Sequence, residues 1–80
     1  MTKLRVRFTF PDNLVPRPVI WELSQTFKVV TNIRRAEVQE NTGWVILELT
    51  GEEVEIQTGL EWVRTTGVEV ELVSGDVLEG

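Results

Sequence analysis

The feature of this sequence that most constrains its fold is a pair of strand-like runs within residues 32–51, NIRRAEVQENTGWVILELTG. The two runs are joined at Asn41-Thr42-Gly43, where small and turn-forming residues interrupt the apolar alternation. Such an interruption between two alternating runs is typical of a β-hairpin. One helical pattern and one further alternating strand lie on each side of it. The chain is therefore predicted to follow the order βαββαβ.

The first half of the chain supplies one strand and one helix. Residues 3–10, KLRVRFTF, alternate strictly between apolar and polar side chains, which predicts a half-buried strand. A helix is predicted from about Arg17 to Lys28, because Ile20, Leu23 and Phe27 recur three and four residues apart.

The pleat of the hairpin strands divides their residues between two faces. In the first strand, Arg34, Ala36 and Val38 are expected to face inward, and Ile33 is expected to face outward with Arg35 and Glu37. In the second strand, the inward set is Val45, Leu47 and Leu49, and the outward set is Trp44, Ile46 and Glu48.

A second helix is predicted over residues 52–66, with Ile56, Leu60 and Val63 as its buried stripe. Gly59 lies inside this stripe and is interpreted as a close helix–sheet contact. The last strand is predicted over residues 68–73. Residues 75–80 lack periodicity and are expected to be a frayed tail of a single domain spanning residues 1–80.

A βαββαβ order with two amphipathic helices predicts an α+β, ferredoxin-like fold. Its four-stranded antiparallel sheet would have the order 4-1-3-2, with both helices on one face. The basic residues lie mostly before residue 36, where seven of the eight occur, and eleven of the thirteen acidic residues follow. In this topology Lys3, Arg5 and Arg7 would lie beside acidic residues of the neighbouring strands, Glu48, Glu69 and Glu71. The charge asymmetry is therefore interpreted mainly as cross-strand pairing rather than a basic docking patch.

The open face of this sheet would carry Ile33, Trp44 and Ile46 among the charges. An uncovered face with an indole on it, or a free edge strand, requires protection or a partner. A homodimer whose interface includes these three residues is therefore expected.

Composition excludes most kinds of catalytic and cofactor chemistry. The chain has no cysteine, no histidine and no tyrosine, which removes disulfides, the usual zinc ligands and Ser-His-Asp or Cys-His catalysis. No GxxxxGK[ST] phosphate loop is present. The acidic triplet Glu52, Glu53 and Glu55 suits the first turn of a helix better than a metal or catalytic site. No enzyme activity, cofactor, metal or catalytic residue is expected, and a cytoplasmic location without membrane insertion is expected from the absence of long apolar runs.

The order and spacing of several short motifs resemble those of the NIL domain family. They are Asn32-Ile33-Arg34-Arg35-Ala36, the run from Gly43 to Gly51, Leu60-Glu61-Trp62-Val63 and Gly67-Val68-Glu69-Val70, and together they cover about residues 3–75. One departure is Arg34, which stands where the family's Asn-Ile-Leu motif has leucine.

The resemblance implies a regulatory role. NIL domains form the C-terminal regulatory part of ATPase subunits in methionine-importing ABC transporters, where they dimerise and bind methionine near the dimer interface. Others are fused to iron–sulfur modules linked to sulfur amino-acid metabolism. The present chain carries neither neighbour, so it is expected to be a stand-alone domain or an excised piece, and its initial methionine and compact ends favour a natural stand-alone protein.

Three functions remain open from sequence. In the first, the chain binds methionine or a related amino acid between two subunits, with Asn32 as polar anchor and Ile33 in the apolar wall; alternatively, Asn32 only satisfies local backbone groups. In the second, it is a dimerisation or docking module that acts in trans on a transporter or a sulfur-metabolism protein, without a ligand. The third, nucleic-acid binding, is disfavoured because the first strand presents no stacking ring and the chain is acidic overall.

Overall fold

The four strands form one antiparallel sheet in the order β2-β3-β1-β4. The computed structural model describes residues 1–12, 17–40 and 42–79, with side chains described as far as Val73. Read from the other edge, the strand order is the predicted 4-1-3-2, so the ferredoxin-like α+β prediction is confirmed. Asn41 of the predicted turn and Gly80 of the predicted tail lie outside the described residues. The elements are β1 (Thr2–Phe10), α1 (Val19–Thr26), β2 (Val29–Val38), β3 (Gly43–Gly51), α2 (Glu53–Thr65) and β4 (Glu69–Glu79).

Helix α1 is shorter than the predicted 17–28. Pro18 is its N-cap, and the residue before a proline disfavours helical backbone angles, so Arg17 stays outside the helix. Phe27 adopts an extended conformation, with φ −118° and ψ 155°, and ends the helix at Thr26. Helix α2 begins one residue later and ends one residue earlier than predicted, with Glu52 as its N-cap.

The core lies between the two helices and one face of the sheet. Alternate residues of the two central strands point into it, as the strict alternation predicts. Helix α1 contributes Val19 and Leu23, and α2 contributes the predicted stripe. The buried strand residues are Leu4, Val6, Phe8, Phe10, Val29, Val45, Leu47, Leu49 and Val68, the last at the entry to β4.

A β-bulge in β2 changes which of its residues face the helices. Ile33 pairs with Leu47, whereas the next pair on β3 joins Ile46 to Arg35, so Arg34 is the additional residue. Directly opposed residues in an antiparallel pair point to the same face. Ile33 therefore shares the helix side with the buried Leu47, and the prediction that it lies on the open face is wrong.

The glycine within α2 makes a contact between helices rather than between helix and sheet. A Cβ atom at Gly59 would lie 2.8 Å from Cδ1 of Leu23 and 3.5 Å from the ring of Phe27. Both neighbours belong to α1 or its end, so the sequence-based interpretation named the wrong partner. Trp62 reinforces the same contact, because its ring lies 6.0 Å from that of Phe27.

Strand β4 extends further than the predicted 68–73. Val6 pairs with Leu72, but Leu4 pairs with Val77, so the register shifts between these two positions and the strand resumes pairing as far as Glu79. The fraying expected for residues 75–80 stays a prediction.

Candidate functional site

An apolar groove lies between the start of α1 and the helix side of the edge strand β2. Its volume is about 260 Å³. Pocket walls of this kind are mostly apolar with a few polar groups that fix a ligand's orientation. The lining residues are Phe10, Arg17, Pro18, Val19, Ile20, Trp21, Ile33, Ala36, Val38, Gly43 and Val45.

The groove exists because β2 is an edge strand. In the described sheet no further strand pairs with its outer edge, and on its helix side Ile33, Ala36 and Val38 remain exposed. Large apolar side chains therefore stay accessible at the groove: Trp21 is 61% exposed, Ile33 56% and Val38 63%. These three residues form an exposed apolar surface on the described part of the chain.

An ion pair lies at the α1 side of the groove. The guanidinium of Arg17 donates to both carboxylate oxygens of Glu22, with Nε–Oε2 2.9 Å and Nη2–Oε1 3.2 Å. The pKa of Arg17 is raised by this hydrogen bond to Glu22, and the charge of Glu22 acts in the same direction. A positive and a negative group are thus held together beside an apolar wall.

The structure separates the two residues predicted to bind ligand. Ile33 lines the groove. Asn32 pairs with Glu48 and so lies on the open face of the sheet, because the two positions alternate along the strand. Within one copy of the chain, the side chains of Asn32 and Ile33 do not meet at one cavity.

Sequence reasoning missed the α1 side of the groove. Arg17, Trp21 and Glu22 were not singled out, although one signal was available. Trp21 falls outside the apolar stripe of Ile20, Leu23 and Phe27, and a tryptophan on the polar side of a helix often marks a contact surface.

The open face carries a charged network centred on Trp44. The guanidinium carbons of Arg7 and Arg35 lie 5.1 Å and 5.9 Å from the centre of the Trp44 ring, within the range of cation–π attraction. Ile46, which pairs with both arginines across its two neighbouring strands, is half-buried between them. Trp44 and Ile46 share the predicted open face, but the sheet separates them from Ile33.

The predicted cross-strand charge pairs are present in part. Arg5 binds Glu48 at 3.3 Å, and Arg7 pairs directly with Glu71 in the ladder. Glu69 instead pairs with Thr9. The arginines of β1 thus lie beside acidic neighbours rather than forming an isolated basic patch.

The described residues offer no group of three or more acidic side chains placed to hold a metal ion. Neither described helix has the length and apolarity needed to cross a membrane.

Comparison with known proteins identifies relatives of this fold. The family model described as "NIL domain" matches residues 4–72. A similar solved structure is the C-terminal domain of an ABC transporter ATP-binding protein from Enterococcus faecalis. It superposes with a TM-score of 0.80 at 26% sequence identity, over 91% of this chain and 86% of that one. No curated protein gives a significant match.

Proposed function

The chain belongs to the NIL domain family, and we propose that it is a non-catalytic regulatory module that binds methionine or a related amino acid at a homodimer interface. The observation that carries this proposal is the apolar groove with the Arg17–Glu22 ion pair beside it. The solved relative is a domain of an ABC transporter ATP-binding protein. A transporter or a metabolic protein in the cytoplasm is the corresponding partner for this chain.

The groove suits a small apolar side chain. Its volume of about 260 Å³ lies just below the range of roughly 300–1,000 Å³ for pockets that hold drug-sized ligands. Phe10 and Trp21 place aromatic rings in its wall, and thioether sulfur makes favourable contacts with aromatic rings. A methionine side chain therefore matches both the size and the chemistry of the wall.

The ion pair suits the other end of an amino acid. A free α-amino acid carries a carboxylate and an ammonium group on one carbon. Arg17 can donate to the carboxylate, and Glu22 can accept from the ammonium, if the ligand replaces their direct hydrogen bonds. The start of α1 adds the positive end of a helix dipole on the same side.

Asn32, which the sequence predicts as the polar anchor, could contact the ligand of this proposal only across the dimer interface. Its side chain lies on the open face of its own copy, so any contact with ligand would have to come across the interface. Ile33 has the direct role, as part of the apolar wall.

The test is a calorimetric titration with L-methionine. Saturable heat is expected for the native chain. Ile33→Glu should weaken binding by about tenfold or more, since it places a charge in the apolar wall. Val30→Glu is the matched control: it adds the same charge on the same strand, but Val30 pairs with Thr50 and lies on the open face. Asn32→Ala tests the anchor in the same assay. No heat at millimolar methionine would contradict the proposal.

A docking module without a ligand is the second candidate. The observation that favours it is the half-buried pair Trp44 and Ile46 on the sheet face that neither described helix covers, because aromatic anchors tend to dominate interfaces. A docking module of this kind would give no heat when titrated with methionine. Its binding to a protein partner would be lost in Ile46→Asp and retained in Ile33→Glu.

A further inference from the structure

The edge of the sheet farthest from the groove is formed by β4, and its charges all have one sign. Among residues 69–79, four are acidic and none is basic. Glu69 and Glu71 lie on the open face, because Glu71 pairs directly with Arg7 of β1 and the two glutamates are two residues apart. An exposed strand edge offers unpaired N–H and C=O groups to another strand, so the charges beside it select which strands can pair there.

The sheet ladder shows which backbone groups of β4 point away from the sheet. Gln39 N donates to Thr42 O at 2.7 Å, and hydrogen-bonded pairs alternate along an antiparallel ladder. Counted from this bond across β3 and β1, the alternation assigns the β1–β4 hydrogen bonds to the two glutamates. The residues that follow them, Val70 and Leu72, therefore direct their N–H and C=O groups to the outer side.

The two residues with outward backbone groups have apolar side chains on the helix side of the sheet. Val70 packs against the core, whereas Leu72 is 59% exposed although its ladder partner Val6 is fully buried. Beyond Leu72 the register shifts, and pairing with β1 resumes at Val77. The regular part of this edge is therefore residues 69–72, with glutamates on one face and apolar side chains on the other.

We infer that the β4 edge binds, as an added strand, an extended segment of a different protein in which basic and apolar residues alternate. Side chains of an added strand alternate between the two faces of the sheet. The basic side chains then lie opposite Glu69 and Glu71 on the open face, and the apolar side chains cover Val70 and Leu72 on the helix side. This surface goes beyond the proposed function and does not depend on methionine binding.

Strand β1 shows that β4 accepts such a pattern. It pairs with the inner side of β4, reads KLRVRF over residues 3–8, and places Arg7 opposite Glu71. Glu69 lies opposite Thr9 rather than a cation. Neither glutamate takes part in an ion pair with another side chain that the structure describes, so both carboxylates can accept from a cation on the outer side.

The charges of β4 disfavour a second copy of the chain as the occupant. Antiparallel registers centred on Glu69, Val70 or Glu71 each place glutamate opposite glutamate, and like charges directly opposed are destabilising. The other edge strand, β2, presents Arg35 and Glu37 two residues apart. Pairing it with β4 would match one glutamate and repel the other. A separate chain that carries only basic charges gives two attractive pairs.

Binding of a synthetic peptide tests this surface. The probe is an end-blocked, fluorescently labelled nonapeptide of alternating lysine and valine, and binding is followed by fluorescence anisotropy. Saturable binding is expected for this peptide. A peptide with glutamate in place of lysine, and one of the same composition with the lysines and valines in two blocks, should not bind. The absence of saturable binding at about 1 mM probe, or equal binding of the block peptide, would overturn the inference.

A pair of charge variants locates the peptide on one edge. Glu69→Lys should weaken peptide binding by about fivefold or more, and it creates no repulsion across β1 because Thr9 is the opposed residue. Glu37→Lys is the matched control: it makes the same change in net charge on the open face of β2, at the opposite edge of the sheet. Its effect should stay within about twofold, since salt screens charges so far apart. An equal loss in both variants, or a loss in Glu37→Lys alone, would overturn the inference.

Hydrogen exchange of backbone amides gives a readout that does not depend on those charges. In the free chain, the amides of Val70 and Leu72 should exchange faster than those of Glu69 and Glu71, which donate to β1. Saturating peptide should slow exchange at Val70 and Leu72 by about tenfold or more. Protection that appears on β2 instead, or at neither edge, would contradict the β4 site. Methionine binding is measured by its own titration and should be unchanged in Glu69→Lys, so either proposal can fail without the other.

Discussion

Arg5 and Glu48 form an ion pair between directly opposed residues of the two central strands, with Nη2 and Oε2 3.3 Å apart. Both side chains lie on the open face and are more than two-thirds buried. The pair joins a basic segment near the start of the chain to an acidic segment 43 residues later. The charge asymmetry of the sequence is thus used, in part, to hold β1 against β3.

The coupling between these two residues should be measurable. In a double-mutant cycle of Arg5→Ala and Glu48→Ala, we expect a coupling free energy of roughly 0.2–1 kcal/mol, the range for opposed charges on neighbouring strands. Urea unfolding of the four proteins gives this value. A cycle of Arg64→Ala with Glu48→Ala serves as control, because Arg64 is on α2, on the other side of the sheet. Equal coupling free energies in the two cycles would contradict a direct interaction between Arg5 and Glu48.

The two glycines that bound β3 should respond differently to substitution by alanine. A Cβ atom at Gly51 would lie 2.7 Å from the carbonyl oxygen of Lys28, and that backbone atom cannot move without shifting the chain between α1 and β2. Gly51→Ala should lower the free energy of unfolding by roughly 1–3 kcal/mol.

At Gly43 the same atom would meet its nearest neighbour at 3.6 Å, an ordinary contact. Gly43→Ala is therefore the matched control and should change the free energy of unfolding by less than about 0.5 kcal/mol. Thermal and urea unfolding measure both. An equal loss in the two variants would show that the close approach to Lys28 is not the cause.

Trp44 and Trp21 should contribute to different properties. Trp44 interacts with two arginines on the open face, so Trp44→Leu should lower the free energy of unfolding by about 1 kcal/mol and leave methionine binding unchanged. Trp21 is largely exposed and lines the groove. Trp21→Leu should weaken methionine binding and have little effect on unfolding. Weaker methionine binding in Trp44→Leu, together with a loss of stability in Trp21→Leu, would contradict the proposed site.

Arg17 should recognise the carboxylate of an amino-acid ligand. Arg17→Gln is expected to weaken the binding of L-methionine by about tenfold, because a charge-assisted hydrogen bond is lost. Methioninamide lacks the carboxylate charge, so its weaker binding should be nearly the same for the native chain and the variant. Titration of both ligands into both proteins tests this, and an equal loss for the two ligands would rule out a carboxylate contact at Arg17.

The alternation of apolar and polar residues along the strands predicted most of the fold, because it reflects directly which side chains are buried. In β1 and β3, every second residue is apolar and both neighbours of each strand are present, so the pattern and the buried face agree. The same holds for the stripe of α2. Together with the element order, these patterns gave the strand order and placed Trp44, Ile46 and Glu48 on the open face.

The edge strand β2 was less predictable, because its residues do not alternate regularly between buried and exposed positions. From Asn32 onward all its residues are exposed, so the sequence carries no strong preference for one face. Counting alternate residues through Arg34 then assigned Ile33 to the wrong side. Only the pairing with β3 reveals the bulge, because a bulge is a mismatch between two strands rather than a property of one.

The sequence by itself therefore determined the architecture, because its apolar periodicities and element order specify how the strands are arranged and which faces of β1, β3 and α2 are buried. The tertiary structure decided the site. The groove joins the start of α1 to β2, with contributions from the end of β1 and from β3, and segments so far apart in sequence meet only after the sheet forms. A local pattern reports burial along one element, whereas a cavity depends on the distance between elements.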